Sequence, residues 1–400
     1  MAIESLFGNL PEKWETTTLG NICQRGGGFI QTGPFGSQLH AADYVEIGIP
    51  TIMPQNIGEN KVVEDGISRI TEKDAERLSK YRLRSGDIVY SRRGDITRRA
   101  LILDEQDGWL CGTGSLMVRL GERIVDPRFV SYYLADPSIR EWIQRHAVGA
   151  TMPNLNTSIM SAVPFVYPPL PEQRAIAGIL GALDDKVEVN RRMNATLESM
   201  ARAVFRQWFV DFPQANWETK PFGEIIQFVK GKRPTETVDE PIAGFLPLIL
   251  IETLDTGKSS YANSEKMVVA EQNNVLMVMD GASSGRVDIG HRGIVGSTIA
   301  MIISRENTIG DYFLYYSLKE KEAEARENLT GTSIPHMDKQ WLFRQTTYLP
   351  DRNKMQEFEE FAGNIRKKIQ ASLKESRTLA SLRDGLLPKM MRGEVRVSEL

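Results

Sequence analysis

The chain has 400 residues, more than one hydrophobic core usually serves, which predicts two or three domains. Apolar residues make up 41% and charged residues 25%, so the composition excludes a disordered chain and a fibrous one. The net charge is −3, and any binding of nucleic acid would therefore depend on positive charge concentrated in one part of the chain.

The sequence also bears on the compartment in which the protein resides. Cys23 and Cys111 lie far apart, which excludes a disulfide scaffold and a cysteine-rich zinc site and fits a reducing compartment. No apolar run reaches the roughly 20 residues that span a bilayer, and the N-terminus lacks the order of a signal peptide. We therefore expect a cytoplasmic protein.

Short motifs recur in the same order in the two halves of the chain. Chance could produce one such match but not seven in one order, so the pattern predicts a tandem duplication with divergent loops. The matches pair 14–20 with 217–223, 87–94 with 274–281, 114–115 with 296–297, 129–134 with 313–318, 149–153 with 331–335, 170–172 with 349–351 and 196–199 with 378–381.

Each half has the same internal plan. Short apolar runs separated by Gly, Asn, Asp and Pro indicate a strand-rich domain, and a long segment typical of a helix follows. The predicted divisions are a first strand-rich domain over 1–168, a central helix over 169–210, a second strand-rich domain over 211–348, and a C-terminal helix with its tail over 349–400.

Apolar side chains in both helical segments follow steps of three and four, the pattern of a coiled-coil seam. Asn190 lies on the first seam, and Pro388 is expected to end the second helix. The seam positions are Ile176, Ile179, Leu183, Val187, Met193, Leu197, Met200, Val204 and Trp208, and then Met355, Phe358, Ala362, Ile365, Ile369, Leu373, Leu379, Leu382 and Leu386.

Neither helix can bury such a stripe alone, and the simplest partner for each is the other. Because the second domain begins at the far end of the first helix, the second helix must run back to cover it. The sequence therefore predicts an α+β fold in which two strand-rich domains, related by pseudo-two-fold symmetry, are separated by two long antiparallel helices that form a coiled coil.

The sequence lacks the motifs of common catalytic sites. Gly257-Lys258-Ser259 has Glu252 where a P-loop needs its first glycine. The histidines have no i,i+4 spacing of the kind found in zinc hydrolases, and the Pro-Pro at 168–169 lacks the flanking polar and aromatic residues of an adenine methyltransferase. We therefore expect no catalytic activity in this chain.

Positive charge is concentrated between Arg77 and Arg99, where eight basic residues face two acidic ones, a net charge of +6 in 23 residues. The tightest part, 91–99, is a glycine-containing loop between two apolar strands. Guanidinium groups on such a loop suit phosphates and guanine edges, although a solvated charged face remains an alternative for any single arginine. The cations of this loop are Arg92, Arg93, Arg98 and Arg99.

The second half offers corresponding candidates. Two of its loops, 230–233 and 280–292, contribute Lys230, Lys232, Arg233, Ser283, Ser284, Arg286, His291 and Arg292. Amide side chains suited to adenine occur at Gln38, Asn56, Asn154, Asn156 and Gln340, although Asn154 and Asn156 suit a turn or a helix cap as well. Two domains with divergent loops and a rigid spacer predict recognition of two short DNA sequences separated by a fixed gap.

Several motifs resemble the DNA-specificity subunit of type I restriction–modification enzymes. The helical motifs are Pro169 to Ala177 (PLPEQRAIA), Leu183 to Lys186 (LDDK), Asn190 to Asn194 (NRRMN) and Trp208 to Phe212 (WFVDF). Gly33 to Ser37 (GPFGS), Leu39 to Ala41 and the 91–95 loop resemble one class of its target-recognition domains. Leu349 to Arg352 (LPDR) departs from the usual pattern at the second helix.

The resemblance implies a non-catalytic scaffold whose two target-recognition domains each recognise half of a split, asymmetric site in double-stranded DNA. The paired helices would dock two methyltransferase subunits that methylate adenine N6, and two motor-nuclease subunits could join them. No cofactor would bind this chain, since S-adenosylmethionine, ATP and Mg²⁺ belong to the partners. Ser37, Gln38 and His40 join the DNA-binding candidates, and Leu180, Phe205 and Phe361 are candidates for docking, or alternatively for packing within the chain.

Two other functions are compatible with parts of the sequence. A self-contained nucleic-acid enzyme would show turnover as the purified chain, and the missing catalytic motifs count against it. A coiled-coil adaptor without a DNA role would tolerate loss of the loop arginines, and the charge cluster counts against it.

Overall fold

The computed structural model describes residues 8, 10–122, 124–149, 153–331 and 333–397. The chain forms two compact units, which we call unit 1 (Met1–Glu188 with Arg377–Leu400) and unit 2 (Val189–Ser376). Each unit includes part of both long helices, and the predicted domain bounds stay predictions. Residues 150–152 and 332 of the repeated motifs, and the first seven residues of the N-terminus, lie outside the described residues.

Unit 1 is a mixed α and β domain onto which the first long helix packs. Its strands are β1 (Glu15–Thr18), β2 (Gly27–Thr32), β3 (Tyr44–Val45), β4 (Ile49–Ile52), β5 (Glu59–Asn60), β6 (Ser68–Ile70), β7 (Ile88–Ser91), β8 (Arg99–Leu101), β9 (Leu110–Cys111), β10 (Ser115–Gly121) and β11 (Pro164–Tyr167). Its helices are α1 (Leu19–Arg25), α2 (Glu72–Arg77), α3 (Pro127–Tyr133), α4 (Pro137–His146), α5 (Thr157–Ser161) and the long α6 (Leu170–Arg206), which continues into unit 2 and ends in a π-helical turn, Gln207–Asp211.

The strands of unit 1 form three sheets. The largest has the order β2-β10-β7-β8-β5, the second has the order β3-β6-β4-β9, and β1 pairs with β11. The antiparallel pair β7 and β8 is completely buried along both strands, and it carries the predicted 91–99 loop at its tip. The loop is therefore held by a rigid hairpin.

Unit 2 repeats this plan with shorter connections. Its strands are β12 (Glu218–Pro221), β13 (Ile226–Lys230), β14 (Phe245–Ile249), β15 (Tyr261–Asn263), β16 (Val269–Ala270), β17 (Val275–Val278), β18 (Val287–Ile289), β19 (Gly293–Val295), β20 (Ile299–Ser304), β21 (Leu329–Thr330), β22 (His336–Met337) and β23 (Thr346–Leu349). Its helices are α7 (Phe222–Ile225), α8 (Ile251–Thr256), α9 (Asp311–Glu320), α10 (Glu322–Glu327), α11 (Lys339–Arg344) and the long α12 (Arg352–Met391), which ends in unit 1.

Two sheets of unit 2 have the same strand order as their counterparts in unit 1. The order β13-β20-β17-β18 matches β2-β10-β7-β8, and β12 pairs with β23 as β1 pairs with β11. In both units the first strand is antiparallel to the strand that leads into a long helix. This shared order of elements is what the predicted duplication requires. In the described part of the chain, no helix combines the length and apolar character needed to cross a membrane.

The long helices pair antiparallel within each unit. In unit 1 the Asp184 carboxylate of α6 accepts a hydrogen bond of 2.5 Å from Arg383 of α12. Glu172, earlier in α6, accepts one of 2.9 Å from Arg396, just beyond the end of α12. Residue numbers therefore rise along one helix as they fall along the other, as predicted.

In unit 2 the antiparallel pairing places Asn190 and Glu198 of α6 against α12. Asn190 is fully buried, and its amide donates to the Glu375 carboxylate at 2.8 Å and to the Ser376 hydroxyl at 3.2 Å. The Glu198 carboxylate accepts a hydrogen bond of 2.6 Å from Arg366. The predicted place of Asn190 on the seam is confirmed.

Part of the predicted seam is wrong. Met200, Leu373 and Leu382 have exposed side chains, at 51%, 37% and 49% of their maximum, whereas Ser372 of α12 is buried. The buried stripe therefore passes through a polar position after Ile369, which an apolar pattern cannot detect. Pro388 does not end α12 either, since the helix continues to Met391.

Aromatic side chains from both long helices fill the core of unit 2. Phe205 of α6 is 1% exposed, and its ring centroid lies 5.5 Å from that of Phe358 of α12 and 5.6 Å from that of Phe313 of α9. The two helices therefore complete the domain core, and they are not merely attached to its surface.

We expect Phe205→Ala to lower the free energy of unfolding by about 3–5 kcal/mol, because it removes a buried aromatic side chain and leaves a cavity. The measurement is urea denaturation of the full chain followed by circular dichroism. Phe212→Ala is the matched control, since Phe212 is 74% exposed and its loss should change stability by about 0.5 kcal/mol or less. Equal effects of the two substitutions would contradict this packing.

A carboxylate of α12 takes the place of a helix cap in unit 2. Gly310 precedes α9 and has no side chain to cap it, and the Glu359 carboxylate accepts from the backbone N–H of Phe313 at 2.6 Å and of Tyr312 at 3.3 Å. Burial raises the pKa of Glu359 from its usual 4.5 to about 7, despite these hydrogen bonds. Between about pH 4.5 and 7, the folded protein therefore keeps a proton on Glu359 that the unfolded chain has released.

Because the folded-state pKa is raised, the stability contributed by protonated Glu359 is present below about pH 4.5 and falls as the pH rises to about 7. Glu359→Gln removes the titratable group. We therefore expect the free energy of unfolding of this variant to lack the pH-dependent part, which amounts to up to about 3 kcal/mol. Urea midpoints at several pH values between 4.5 and 8 measure it. Glu357→Gln, on the exposed face of α12, should keep the wild-type profile, and an unchanged profile in Glu359→Gln would refute the assignment.

Candidate nucleic-acid interface

Three loops that are far apart in the sequence meet on unit 1. The Arg92 guanidinium lies over the Phe35 ring, 5.9 Å from its centroid, which brings the 91–98 loop to the 33–38 turn. Arg92 Nε also donates to the Leu155 carbonyl at 2.9 Å, and Arg93 forms an antiparallel bridge with Asn154. The two segments predicted separately to bind DNA therefore form one surface, together with the loop before α5.

The tip of this surface carries the exposed cations of the 91–98 loop. Arg93 and Arg98 are exposed, and Arg92 is half-buried. Asp95 holds the loop in shape, because its carboxylate accepts from the Thr97 backbone N–H at 3.1 Å and from Arg98 Nε at 3.3 Å. Arg98 thus has one acid partner at the surface, where such pairs contribute little energy.

Gln38 is fixed in orientation within the 33–38 turn, which Arg92 contacts through Phe35. Its Oε1 accepts from the Phe35 backbone N–H at 3.2 Å and from the Tyr81 hydroxyl at 2.8 Å. A backbone N–H can only donate, so the amide oxygen must face Phe35, and its two lone pairs are used. The NH₂ group is left to bind other molecules. The adenine pairing proposed from the sequence needs a free oxygen as well, so this geometry favours a base edge that only accepts.

Much of the positive charge counted in the sequence is neutralised or buried. Arg77 pairs with Asp74 at 2.9 Å and Arg82 pairs with Glu72, and both acids lie just outside the counted window. Arg99, predicted to bind DNA, is only 2% exposed, because it begins the strand β8, which is buried along its whole length, whereas the exposed Arg98 still lies in the loop. The prediction for Arg99 is therefore corrected.

Other amide and polar candidates of unit 1 have varied surroundings. Asn56 is fully buried and donates to the Val63 carbonyl at 3.0 Å, so it holds a turn and cannot reach a base. Asn156 caps α5 through the Ile159 N–H, which confirms the capping alternative. Ser37 and His40 are exposed and stay predictions.

Unit 2 brings together three equivalent loops. Asp280, after β17, forms a backbone bridge with His336 of β22, and its carboxylate lies 2.8 Å from His336 Nδ1. Lys230, at the end of β13, lies 3.7 Å from the other oxygen of Asp280. Lys232 and Arg233 follow with exposed side chains and no ion pair among the described residues. The loops correspond to those of unit 1 in their place in the sheet.

Several of the predicted residues of unit 2 are engaged within the unit. Ser284 is fully buried and its hydroxyl donates to backbone carbonyls, at 2.7 Å to that of Gly281, so the prediction that it binds DNA is corrected. Arg286 is held by Asp255 and by Asp288 at 2.9 Å. The exposed Arg292 pairs with Glu271 at 3.1 Å. Ser283 is partly exposed, Gln340 is exposed, and His291 lies 3.3 Å from Asp288.

The predicted docking residues fall into two groups. Leu180 and Phe205 are buried in the cores of units 1 and 2, so they pack within the chain, the alternative that the sequence left open. Phe361 is half-buried beside Trp208 and stays a prediction.

Sequence reasoning missed Tyr81 and His336, which position other residues of the two surfaces through contacts between distant segments. No sequence signal nearby identifies either one. Among the described residues, no group of three His, Cys, Asp or Glu side chains is arranged to hold a metal ion.

Comparisons with known proteins define the class. A family model described as the type I restriction modification DNA specificity domain matches residues 11–199. The chain is 24% identical to the specificity subunit of the type I restriction enzyme MjaIX from Methanocaldococcus jannaschii, over 99% of this chain and 97% of that one. It is 28% identical to the HindI specificity subunit from Haemophilus influenzae, over 47% of this chain and 44% of that one.

A solved structure shares the fold over nearly the whole chain. The S subunit of the type I restriction–modification system from M. genitalium matches with a TM-score of 0.60 and 18% identity, covering 96% of both chains. The predicted resemblance to the DNA-specificity subunits of type I restriction–modification systems and the predicted fold class are confirmed. The relatives from M. jannaschii and H. influenzae are specificity subunits of type I restriction enzymes.

Proposed function

We propose that each unit recognises one half of a bipartite, asymmetric site in double-stranded DNA through its three clustered loops. The observation that carries this proposal is the meeting of the 33–38, 91–98 and 153–156 segments around exposed Arg93 and Arg98. Exposed guanidinium groups on a rigid hairpin suit a phosphate backbone, and an oriented amide beside them suits a base edge. The equivalent loops of unit 2 differ in sequence, as recognition of a different half-site requires.

The long helices supply the second part of the proposal. They set the gap between the half-sites and dock two methyltransferase subunits, which bind S-adenosylmethionine and methylate adenine N6. Two motor-nuclease subunits that use ATP and Mg²⁺ join when unmodified DNA is cut. This chain binds no cofactor, and the complex acts in the cytoplasm. The half-buried Phe361 beside Trp208 supports a docking surface on unit 2.

We expect the double substitution Arg93→Gln, Arg98→Gln to weaken binding of the methyltransferase complex to all DNA sequences. Each lost phosphate contact should reduce the slope of log affinity against log salt by about 0.9. Fluorescence anisotropy titrations at salt concentrations between 50 and 200 mM measure this slope, because DNA affinity changes strongly over that range.

The matched control for this experiment is Arg145→Gln. Arg145 is an exposed arginine of α4 that pairs with Glu141, so the substitution removes the same type of charge outside the 33–38, 91–98 and 153–156 segments. If this control lost as much of the slope as the double variant, or if the double variant kept the wild-type slope, the proposed interface would be wrong. A coiled-coil adaptor without a DNA role would then explain the protein better.

Gln38 should determine one base of the site recognised by unit 1. Because its oxygen is occupied by Phe35 and Tyr81, it offers only donors, which suit the N7 and O6 acceptors of guanine or the O4 acceptor of thymine. Gln38→Glu keeps the accepted hydrogen bonds and replaces the donors by an acceptor. We expect a preference for cytosine or adenine at that one position and a loss of about 1–3 kcal/mol on the original site.

Sequencing of DNA methylated by the complex with each variant measures the base preference. Gln144→Glu, an exposed substitution on α4, is the control and should leave the site unchanged. If the complex with Gln38→Glu methylated the same DNA sequence as the wild-type complex at every position, Gln38 would not contact a base.

A further inference from the structure

The backbone bridge between Asp280 and His336 of unit 2 has a counterpart in unit 1. There an antiparallel bridge joins Arg93 to Asn154. The alignment of the repeated motifs places Asp280 where unit 1 has Arg93, and His336 where it has Asn154. The two bridges therefore occupy one position of the duplicated fold. In unit 1 this position carries an exposed arginine of the proposed DNA-binding surface, whereas in unit 2 it carries an aspartate and a histidine.

The backbone on both sides of His336 is held by hydrogen bonds. His336 belongs to the short strand β22, which pairs with β21. The next residue, Met337, donates its N–H to the Met279 carbonyl at 2.8 Å, and the carbonyl of Pro335 accepts from the Gly281 N–H at 2.9 Å. These contacts fix the point at which the imidazole ring leaves the backbone.

The ring of His336 is oriented as well. Its Nδ1 lies 2.8 Å from Asp280 Oδ1. On the opposite edge of the ring, Cδ2 lies so close to Gly331 that a Cβ on that glycine would come within 2.9 Å of it. The side chain is nevertheless 49% exposed, and Nε2 has no hydrogen-bond partner among the described residues. One polar atom of a fixed ring is therefore left to bind another molecule.

The carboxylate of Asp280 decides which ring nitrogen of His336 carries the hydrogen atom. An ionised carboxylate only accepts hydrogen bonds, so Nδ1 must be the donor. In the neutral imidazole, Nε2 then carries no hydrogen atom and is an acceptor. Lys230 Nζ lies 3.7 Å from the second oxygen of the same carboxylate, so both oxygens of Asp280 face groups that donate.

This acceptor lies on a surface whose cations can only donate. Lys230, Lys232 and Arg233 are exposed in the neighbouring loop, and none of them has an accepting atom in its side chain. In the major groove of DNA, the bases that offer a donor are adenine, through its N6 amino group, and cytosine, through its N4 amino group. A neutral His336 therefore complements a base with an amino group on that edge.

We propose that His336 recognises one base of the half-site bound by unit 2, an adenine or a cytosine, by accepting a hydrogen bond from its amino group at Nε2. Asp280 is the positioning residue, because it fixes the ring and its tautomer. This role of His336 rests on the proposed function, in which unit 2 binds a half-site. The same position of the fold offers a donor in unit 1, Arg93, and an acceptor in unit 2, so the two units suit different bases.

Substitution of Asp280 tests the tautomer. In Asp280→Asn, we expect the amide oxygen to face Lys230, which only donates, and the NH₂ group to face His336 Nδ1. Nδ1 then accepts, and Nε2 carries the hydrogen atom and becomes a donor. We therefore expect the preference at one position of one half-site to change from adenine or cytosine to guanine or thymine, whose major-groove edges offer acceptors.

Substitution of His336 tests the contact itself. His336→Phe keeps a planar ring and removes both nitrogens, so the preference at the same position should fall about three- to tenfold, the effect of one hydrogen bond. Random DNA is methylated in vitro by the complex with each variant at about pH 8, where an imidazole is mostly neutral. Sequencing of the methylated DNA measures the base preference at every position, and circular dichroism checks that each variant is folded.

Glu265→Gln is the matched control, because it removes one negative charge from an exposed acid in the turn after β15 of the same unit. It should leave every base preference unchanged. If Asp280→Asn and His336→Phe also kept the wild-type preferences, His336 would not contact a base, although a bipartite wild-type site would still support the proposed function.

Two other outcomes would also contradict this role of His336. A wild-type preference for guanine or thymine that His336→Phe abolishes would show that the ring is protonated and donates. A wild-type complex that methylates DNA without any preference in one half of the site would show instead that the proposed function of the two units is wrong.

Discussion

The burial of the two long helices is the constraint on which each unit depends. In unit 1, Ile176 and Leu180 of α6 and Met390 of α12 belong to the same buried cluster as the strands of the domain. In unit 2, Phe205 and Phe358 play this part. A helix of this length with an apolar stripe is not stable alone in water, and a domain that lacks these side chains has an open core. Helix and domain therefore fold only together.

Polar side chains occupy two buried positions of the long helices in unit 2. Asn190 and Ser372 are buried, and Asn190 donates to Glu375 and Ser376. Apolar residues at these positions would pack in more than one register, whereas a buried amide that must find its acceptor disfavours the alternatives. Such a position contributes less stability than a leucine, and we infer that it fixes the alignment of α6 and α12 in this unit.

The sequence predicted features that depend on local periodicity. The duplication, the long helices and the stripe from Met355 to Ile369 follow from spacing along the chain, and the structure contains them. The prediction of the buried stripe fails beyond Ile369, where the buried residue is Ser372, because a hydrophobic pattern cannot detect a polar residue. Pro388 was misjudged because tertiary packing of the last turn outweighs the missing backbone hydrogen bond.

Site residues were harder to predict, because charge in a sequence does not reveal which partner folds onto it. Asp74 and Glu72 neutralise Arg77 and Arg82 from just outside the window that was counted. Of the adjacent Arg98 and Arg99, only Arg99 belongs to the buried strand β8, and the sequence does not mark where that strand begins.

The boundary between loop and strand separates two environments at the β7–β8 hairpin. Arg98 reaches the exterior from the loop, and Arg99, one residue on, is buried. The loop's outer face can change in sequence without disturbing the core, whereas its base continues into the buried strand β8, where Arg99 Nε donates to the Ser131 carbonyl at 2.7 Å. Divergent recognition therefore requires a fixed anchor beneath a variable tip. In the equivalent hairpin of unit 2, the buried Ser284 hydroxyl donates to the Gly281 carbonyl at 2.7 Å and lies 3.0 Å from the Pro335 carbonyl oxygen, so it lies between two of the three loops.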